Sequence, residues 1–469
     1  MTTKLYQQLI NQITDDINAG VLQPGQRMLS VRALCQQKGV SKSTVLTAYS
    51  LMQSRGLLES RPRSGYFVST KSKHSKLLVS ATISNPESTP VSVATDQVIL
   101  TVMEQGASFD LCSQASRNAD NIQLKRCLSR AYRQQSSTQQ NYYNEPKGLN
   151  SLRESIAGRL HSGASHVSAD EIIITNGCQN SLMLALMATT KPGDTVAIES
   201  PGFYGSIALL ELLNLKIMEL PCDPVSGINV EAMAVNFKRW NVTALITSPN
   251  YSTPTGACIS DIDKQRITDI CKASETIIIE DDIYGELYFG SKRPLTLHSF
   301  DPDNVLLCSS FSKNLSPDLR LGWIVAGKYA PIVARLKVTT SLATNSAVQQ
   351  GVHDYMQRGL LDAHLHKKRQ LLSTQCTQLT QMIAQLIPDA VSYTQPQGGL
   401  SLWLELPESV SSLELYRQCL TKGITITPGP LFTSQGKYLN FVRLSYAHEW
   451  TSQRTAGLTT LGKLIHNCA

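Results

Sequence analysis

Three short stretches of this sequence hold residues whose types and spacing fit one chemistry. Ser310-Phe311-Ser312-Lys313 follows the apolar run VLLCS, with Arg320 seven residues on. A lysine at a strand end beside another cation is driven toward its neutral, nucleophilic form, suited to attack on an aldehyde. Asp281-Asp282-Ile283-Tyr284 follows TIIIE and sets a carboxylate and a phenol within one turn. Asn176-Gly177-Cys178-Gln179 follows EIIIT and opens the helical stretch NSLMLALMA. A glycine at a helix start leaves free amides for an anion such as phosphate. Phosphate donors, a carboxylate for a ring nitrogen and a reactive lysine are together what pyridoxal phosphate requires.

Such residues must be positioned by strands. EIIIT, TVAIE, ALITS, TIIIE, VLLCS and WIVAG alternate with helical stretches, and runs this apolar on both faces predict an α/β domain with a mostly parallel sheet covered by helices. In such sheets ligands bind beyond the carboxyl ends of the strands, where the three stretches lie. The tract LLSTQCTQLTQMIAQLI predicts a packing helix of a smaller C-terminal α/β subdomain. His353, His364 and His366, running into Lys367-Lys368-Arg369, are expected on a solvated face.

Charge divides the chain. The total is +7 over 469 residues, yet residues 1–76 alone carry +8 and the other 393 carry −1. A small basic module attached to a near-neutral one points to an anionic partner at the N-terminus. Leu5, Leu9, Ile13 and Ile17 predict a first helix; Ser30 and Ser41 are N-caps for a second and a third. Two short extended runs around RPRSG follow, giving three helices plus a basic hairpin: a winged helix-turn-helix. The third helix of such a module enters the DNA major groove, which selects Lys42, Ser43, Thr44 and Thr47 as base-reading candidates. Arg32, Arg61 and Arg63 are candidates for the backbone or minor groove. Residues 69–92, rich in Ser, Thr, Lys and Pro, read as a flexible linker between a DNA-binding domain at 1–68 and the large domain at 93–469.

With 42% hydrophobic and 17% charged residues the chain is not disordered throughout. No run approaches the ~20 apolar residues of a membrane span, and the N-terminus lacks the apolar core of a leader, so a cytoplasmic protein with no membrane partner is expected. Eleven cysteines lie scattered, without metal-ligand spacing; neither a disulfide framework nor a metal is expected.

The N-terminal module resembles the GntR-type winged helix through G-x-L-x-P-G-x-R, S-x-R, GVSKSTV and SGYFV, with Met28-Leu29-Ser30 where that family usually has Leu-Pro-Ser. Residues 93–469 resemble fold-type I pyridoxal-phosphate enzymes of the aminotransferase class I/II group. That resemblance makes Lys313 the Schiff-base lysine, and Ser310, Ser312 and Arg320 ligands of the phosphate. It makes Asp281 the partner of the ring nitrogen and Tyr284 a donor to the ring hydroxyl. Gly177, Cys178 and Gln179 fall where the group binds phosphate, and Phe203 in ESPGFYG where it stacks on the ring. Arg443 in NFVRLSY matches the arginine that grips a substrate carboxylate, and Tyr143 in YYNEPKG the tyrosine lent to the phosphate by a partner subunit. In SPNYSTPTG, Thr253 stands where active aminotransferases usually have an asparagine for the ring hydroxyl; Asn250 is a substitute to be tested.

A GntR-type winged helix joined to an aminotransferase-like domain resembles the MocR group of bacterial regulators over essentially the whole chain. The resemblance implies a transcription regulator that binds double-stranded DNA, senses pyridoxal phosphate or an amino-acid or amine effector at Lys313, and forms a head-to-tail, domain-swapped homodimer. The alternative is a working aminotransferase, converting amino acid to keto acid, with an appended DNA-binding domain.

Overall fold

The computed structural model describes residues 5–18, 21–23, 25–54, 57–61, 65–69, 86–90, 111, 121–136, 141–162, 167–387 and 392–468. Helices α1 (Leu5–Asn18), α2 (Val31–Lys38) and α3 (Lys42–Ser54) precede an antiparallel hairpin of β1 (Leu58–Arg61) and β2 (Gly65–Val68). Their apolar positions meet in one small core: Leu9 and Ile13 of α1, Leu34 of α2, Val45, Ala48, Tyr49 and Met52 of α3, and Leu58 and Val68 of the hairpin. Ser30 caps α2, accepting from the Ala33 amide at 3.1 Å, so Leu29 in place of proline leaves the helix start intact.

The large domain is built on an eight-stranded sheet in the order β3-β10-β9-β8-β7-β4-β5-β6. The strands are β3 (Ile172–Thr175), β4 (Thr195–Ser200), β5 (Lys216–Asp223), β6 (Gly227–Ile228), β7 (Ala244–Thr247), β8 (Ile277–Asp281), β9 (Val305–Ser310) and β10 (Gly322–Val325). The pairs β5/β4, β4/β7, β7/β8 and β8/β9 are parallel. β10, the run WIVAG, lies antiparallel to both β9 and β3. The eleven residues between β9 and β10 hold no crossover helix, so the chain returns beside β9 in the opposite sense. β5 escapes the pattern of continuous apolar runs because Glu219 and Pro221 interrupt it, yet it is buried along most of its length.

Among the helices on the sheet are α4 (Cys178–Thr189), which starts at the end of β3, and α5 (Tyr204–Leu212). α6 (Leu360–Leu386) is 27 residues long and includes the tract LLSTQCTQLTQMIAQLI. Leu361, Leu365 and Leu372 are buried along it. Its C-terminal end leads to a four-stranded antiparallel sheet, β11 (Ser392–Tyr393), β12 (Ser401–Glu405), β13 (Thr427–Pro428) and β14 (Phe441–Ser445), in the order β11-β12-β14-β13. Arg443 points from the middle of β14 and pairs in register with Trp403 and Thr427.

Two expectations are corrected. Within the stretch read as a flexible linker, residues 86–90 are docked on the large domain: Ser88 donates to the Glu219 carbonyl at 2.9 Å and Pro86 is buried. The His/Lys/Arg stretch is not a uniformly solvated face. His364 is half-buried with Nε2 3.0 Å from the Asn314 carbonyl, and His353 Nδ1 lies 2.8 Å from the Ser155 hydroxyl. Arg369 lies 4.4 Å over the Tyr288 ring, while His366 and Lys367 stay exposed.

Candidate functional site

The ends of β3, β8 and β9 bring the three chemical stretches together, because β8 and β9 are adjacent and β10 alone separates β9 from β3. Gly177 has φ +104° and precedes α4, whose first amides have no side-chain cap. A Cβ on Gly177 would stand 2.8 Å from Arg320 Nη2, so glycine is what allows the guanidinium to cross here. Arg320 Nη2 donates to the Asn176 carbonyl at 3.0 Å, placing its charge at the helix start. The Ser310 hydroxyl, at the end of β9, accepts from the Ser312 amide at 3.3 Å. Uncapped amides with a guanidinium at the helix start, and the serine hydroxyls at the end of β9, are groups of the kind that hold a dianionic phosphate.

Asp281 is buried at the end of β8. Its Oδ1 accepts from the Cys178 thiol at 3.1 Å and from the Ile283 amide at 3.3 Å. Burial lifts its carboxyl to about 6, against the pull of those two donors, so it is still mostly ionised at pH 7. Lys313, half-buried, has its amine lowered to about 7: burial is the main cause, followed by the charges of Arg443 and Lys368, with Asp281 opposing. About half of such an amine is neutral at pH 7. Tyr284 is buried, which pushes its phenol up; it is hydrogen-bonded to Thr253.

Arg443 is 2% exposed. Its Nη2 donates to Thr427 Oγ1 at 3.1 Å, its Nη1 lies 3.5 Å from Thr253 Oγ1, and the guanidinium sits 5.4 Å from the centre of the Phe432 ring. Both of these threonine oxygens are neutral acceptors, which a carboxylate would outcompete. Phe203 is half-buried against Tyr204, 4.8 Å between ring centres, and Gln179 Nε2 donates to the Gly205 carbonyl at 2.7 Å, tying α4 to the start of α5.

Asn250 does not join this group. Its Nδ2 donates to Asp282 Oδ1 at 3.0 Å and to the Leu295 carbonyl at 3.1 Å, and its Oδ1 accepts from the fully buried Lys264 at 2.8 Å. Both ends of the amide are thus spent in a polar cluster that also holds the Arg293–Asp282 ion pair. Thr253 takes the place beside Tyr284 and Arg443 instead. Tyr143 is 80% exposed and lines a groove of about 350 Å³ with Tyr132, Tyr142, Thr344, Asn345 and Ser346.

Lys368 is the residue that sequence reasoning missed. It is half-buried, burial lowers its amine to about 8, and among the described residues no carboxylate pairs with it. The signal was present: 361, 365, 368 and 372 form one helical stripe whose other three members are buried leucines.

In the DNA-binding module, Arg32 and Lys42 are exposed at the starts of α2 and α3. Thr44 is half-buried, its amide donating to Ser41 Oγ at 3.2 Å and its hydroxyl 2.8 Å from the same oxygen. Ser43 and Thr47 lie on α3, Arg61 ends β1, and the side chains of these three, with the whole of Arg63, lie outside the described residues.

Fold and site together define a winged-helix protein fused to an aminotransferase-type domain. Residues 5–68 match the family of bacterial regulatory proteins, gntR family, and residues 108–457 match aminotransferase class I and II. The chain is 34% identical to the HTH-type transcriptional regulator YjiR of Escherichia coli over 98% of both chains. It is 26% identical to the HTH-type transcriptional regulator NorG of Staphylococcus aureus, over 91% of this chain and 95% of that one. Among solved structures it is similar to LysN, the α-aminoadipate aminotransferase of Thermus thermophilus in complex with N-(5′-phosphopyridoxyl)-L-leucine, with 25% identity, a TM-score of 0.73, and 80% and 95% of the two chains covered. The chain belongs to the MocR group of GntR-family regulators, within the aminotransferase class I and II family for its larger part. Among the described residues, no helix is long and apolar enough to cross a membrane.

Proposed function

We propose that this DNA-binding transcription regulator holds pyridoxal phosphate at Lys313 and senses an amino acid or amine through it. The observation that carries the reading is the half-buried Lys313 just past the end of β9, with buried Asp281 at the end of the adjacent β8 and buried Arg443 acting on it electrostatically; together they push its amine down. When bound, the cofactor supplies an aldehyde and an electron-withdrawing ring. Lys313 would present a neutral amine to that aldehyde. The amides of α4, the hydroxyls of Ser310 and Ser312, and Arg320 would hold the phosphate. Asp281 would keep a proton on the ring nitrogen, Phe203 would pack against the ring, and Tyr284 with Thr253 would serve the ring hydroxyl. Arg443 takes the effector's carboxylate with its planar fork. An effector changes DNA binding only by favouring one arrangement of the chain over another, and a carboxylate newly held by Arg443 is such a differential contact.

We further infer a cytoplasmic, head-to-tail homodimer that exchanges its DNA-binding modules. The exposed tyrosine pair at 142–143 beside the groove at 344–346 supports a partner surface here.

The test is a visible absorption titration of the purified protein, loaded with pyridoxal phosphate, against single amino acids. A band that shifts with one amino acid and stays put supports a sensor. Conversion to the pyridoxamine form, with recovery on adding a keto acid, would replace this reading with a working aminotransferase.

A further inference from the structure

Cys178, the first residue of α4, reaches Asp281 across the sheet. Its thiol lies 3.1 Å from Asp281 Oδ1, and both residues are buried. Between β3, from which α4 starts, and β8, which carries Asp281, lie β10 and β9. A buried free cysteine is ordinarily a small apolar filler and a weak donor. This one meets an anionic acceptor out of water, where a hydrogen bond to a charged group is at its strongest. Burial, and after it the Asp281 charge, hold the thiol well above its ordinary range, so it keeps its proton and donates.

The turn that carries Cys178 is anchored on several sides. Thr175 Oγ1 lies 2.7 Å from Ser181 Oγ and donates to the Gly177 carbonyl at 3.2 Å, and Ser181 Oγ is 3.1 Å from the Trp323 carbonyl on β10. The next residue, Gln179, is tied to Gly205. On the other side of the contact, Asp281 Oδ1 also accepts from the Ile283 amide at 3.3 Å, so both donors fall on one oxygen and neither on Oδ2. A carboxylate held twice through the same oxygen is fixed in rotation. Cys308 supplies the comparison. It pairs in register with Asp281 and is fully buried in the same core cluster as Cys178, yet among the described residues its thiol has no hydrogen-bond partner.

We propose that Cys178 is a positioning residue for the cofactor ring: its thiol fixes Asp281 by Oδ1 and leaves Oδ2 to the ring nitrogen. This rests on the cofactor reading above. The backbone amide of the same residue belongs to the uncapped first turn of α4, where that reading puts the phosphate. One residue thus sets the spacing between the phosphate end and the nitrogen end of the cofactor. The phosphate role that the sequence suggests for Cys178 then falls to its amide, while its side chain serves Asp281. Without the thiol, Asp281 loses the donor that most opposes its burial. The carboxylate is then held by one amide alone, and burial favours its neutral form, which offers a protonated ring nitrogen no charge.

The experiment is calorimetric titration of the full-length, cofactor-free protein with pyridoxal phosphate and with its analogue that has a carbon in place of the ring nitrogen. The wild type is expected to favour pyridoxal phosphate by about tenfold or more. In Cys178→Ala the affinity for pyridoxal phosphate is expected to fall about tenfold, as for a lost hydrogen bond to a charged group, while that for the analogue stays within about twofold. Cys178→Ser, which keeps a donor, should recover most of the loss. Cys308→Ala, which removes a thiol from the same core without breaking a bond to Asp281, should leave the preference unchanged. Equal losses for both ligands in Cys178→Ala would make the thiol packing alone and overturn the proposal, as would a preference kept in full. A serine variant no better than the alanine one would overturn it too. In each of these cases the cofactor reading stands. A wild type that binds both ligands equally removes Asp281 as the partner of the ring nitrogen, and the role of Cys178 with it; one that binds neither removes the cofactor reading itself.

Discussion

Replacing Lys368 by glutamine should make Lys313 harder to deprotonate. In water a lysine amine near 10.5 is about 0.3% neutral at pH 8, whereas one at about 7 is roughly 90% neutral, a gain of about 300-fold in the form that attacks an aldehyde. Burial supplies most of that lowering, then Arg443, then Lys368. Two like charges several ångströms apart in a partly desolvated site repel by on the order of 1–2 kcal/mol. Deleting the Lys368 charge should therefore move the midpoint for Lys313 upward by on the order of tenfold in proton concentration. The assay is stopped-flow capture of pyridoxal phosphate by the cofactor-free protein from pH 6 to 10, followed at the visible band. The wild-type rate should rise with pH and level off above about 8; Lys368→Gln should level off at a higher pH, with the same final spectrum. The sign carries a stability corollary. The unfolded chain holds the Lys313 proton up to about 10.5 and the folded one only to about 7, so this group favours the fold increasingly as pH rises between them. A wild-type midpoint near 10, or identical profiles in the two proteins, would refute the reasoning.

Other perturbations have distinct expected outcomes. Lys313→Ala should bind pyridoxal phosphate without covalent attachment and show no lysine-dependent visible band; an unchanged spectrum would move the site elsewhere. Arg443→Ala should weaken the response to amino acids about 100-fold while leaving cofactor capture measurable, and Arg443→Lys should restore little of it, because an ammonium lacks the two-pronged geometry. Asn250→Ala should cost about 2–4 kcal/mol of stability in a denaturant titration by stripping partners from Lys264 and Asp282, without displacing the visible band of folded, loaded protein. Arg61→Ala should weaken DNA binding across sequences and lower the salt slope by about one, as for any lost phosphate contact; unchanged affinity and slope would exclude it.

Thr253 and Asn250 show where reading along the chain runs out. Three residues apart, they are equally placed by sequence to serve the ring hydroxyl. Folding commits the Asn250 amide to Asp282, Leu295 and Lys264, 32, 45 and 14 residues away, and leaves Thr253 beside Arg443, 190 residues away. Lys368 makes the same point from the other side: a charged run looks solvated until the helix that carries it is packed.

What the sequence determined by itself was what local periodicity and caps encode. Apolar runs marked six strands, Ser30 and Ser41 marked helix starts, and the residues just past EIIIT, TIIIE and VLLCS marked the site, because a parallel sheet gathers its strand ends on one edge. Packing alone chose which distant groups share a hydrogen bond: the Cys178 thiol with Asp281, Thr253 with Arg443, and Glu87 with Gln435, pairs 103, 190 and 348 residues apart. A strand or helix start is fixed within a few residues by backbone geometry. A buried polar group, in contrast, must find its partner wherever packing brings one, and that choice is made by the whole fold.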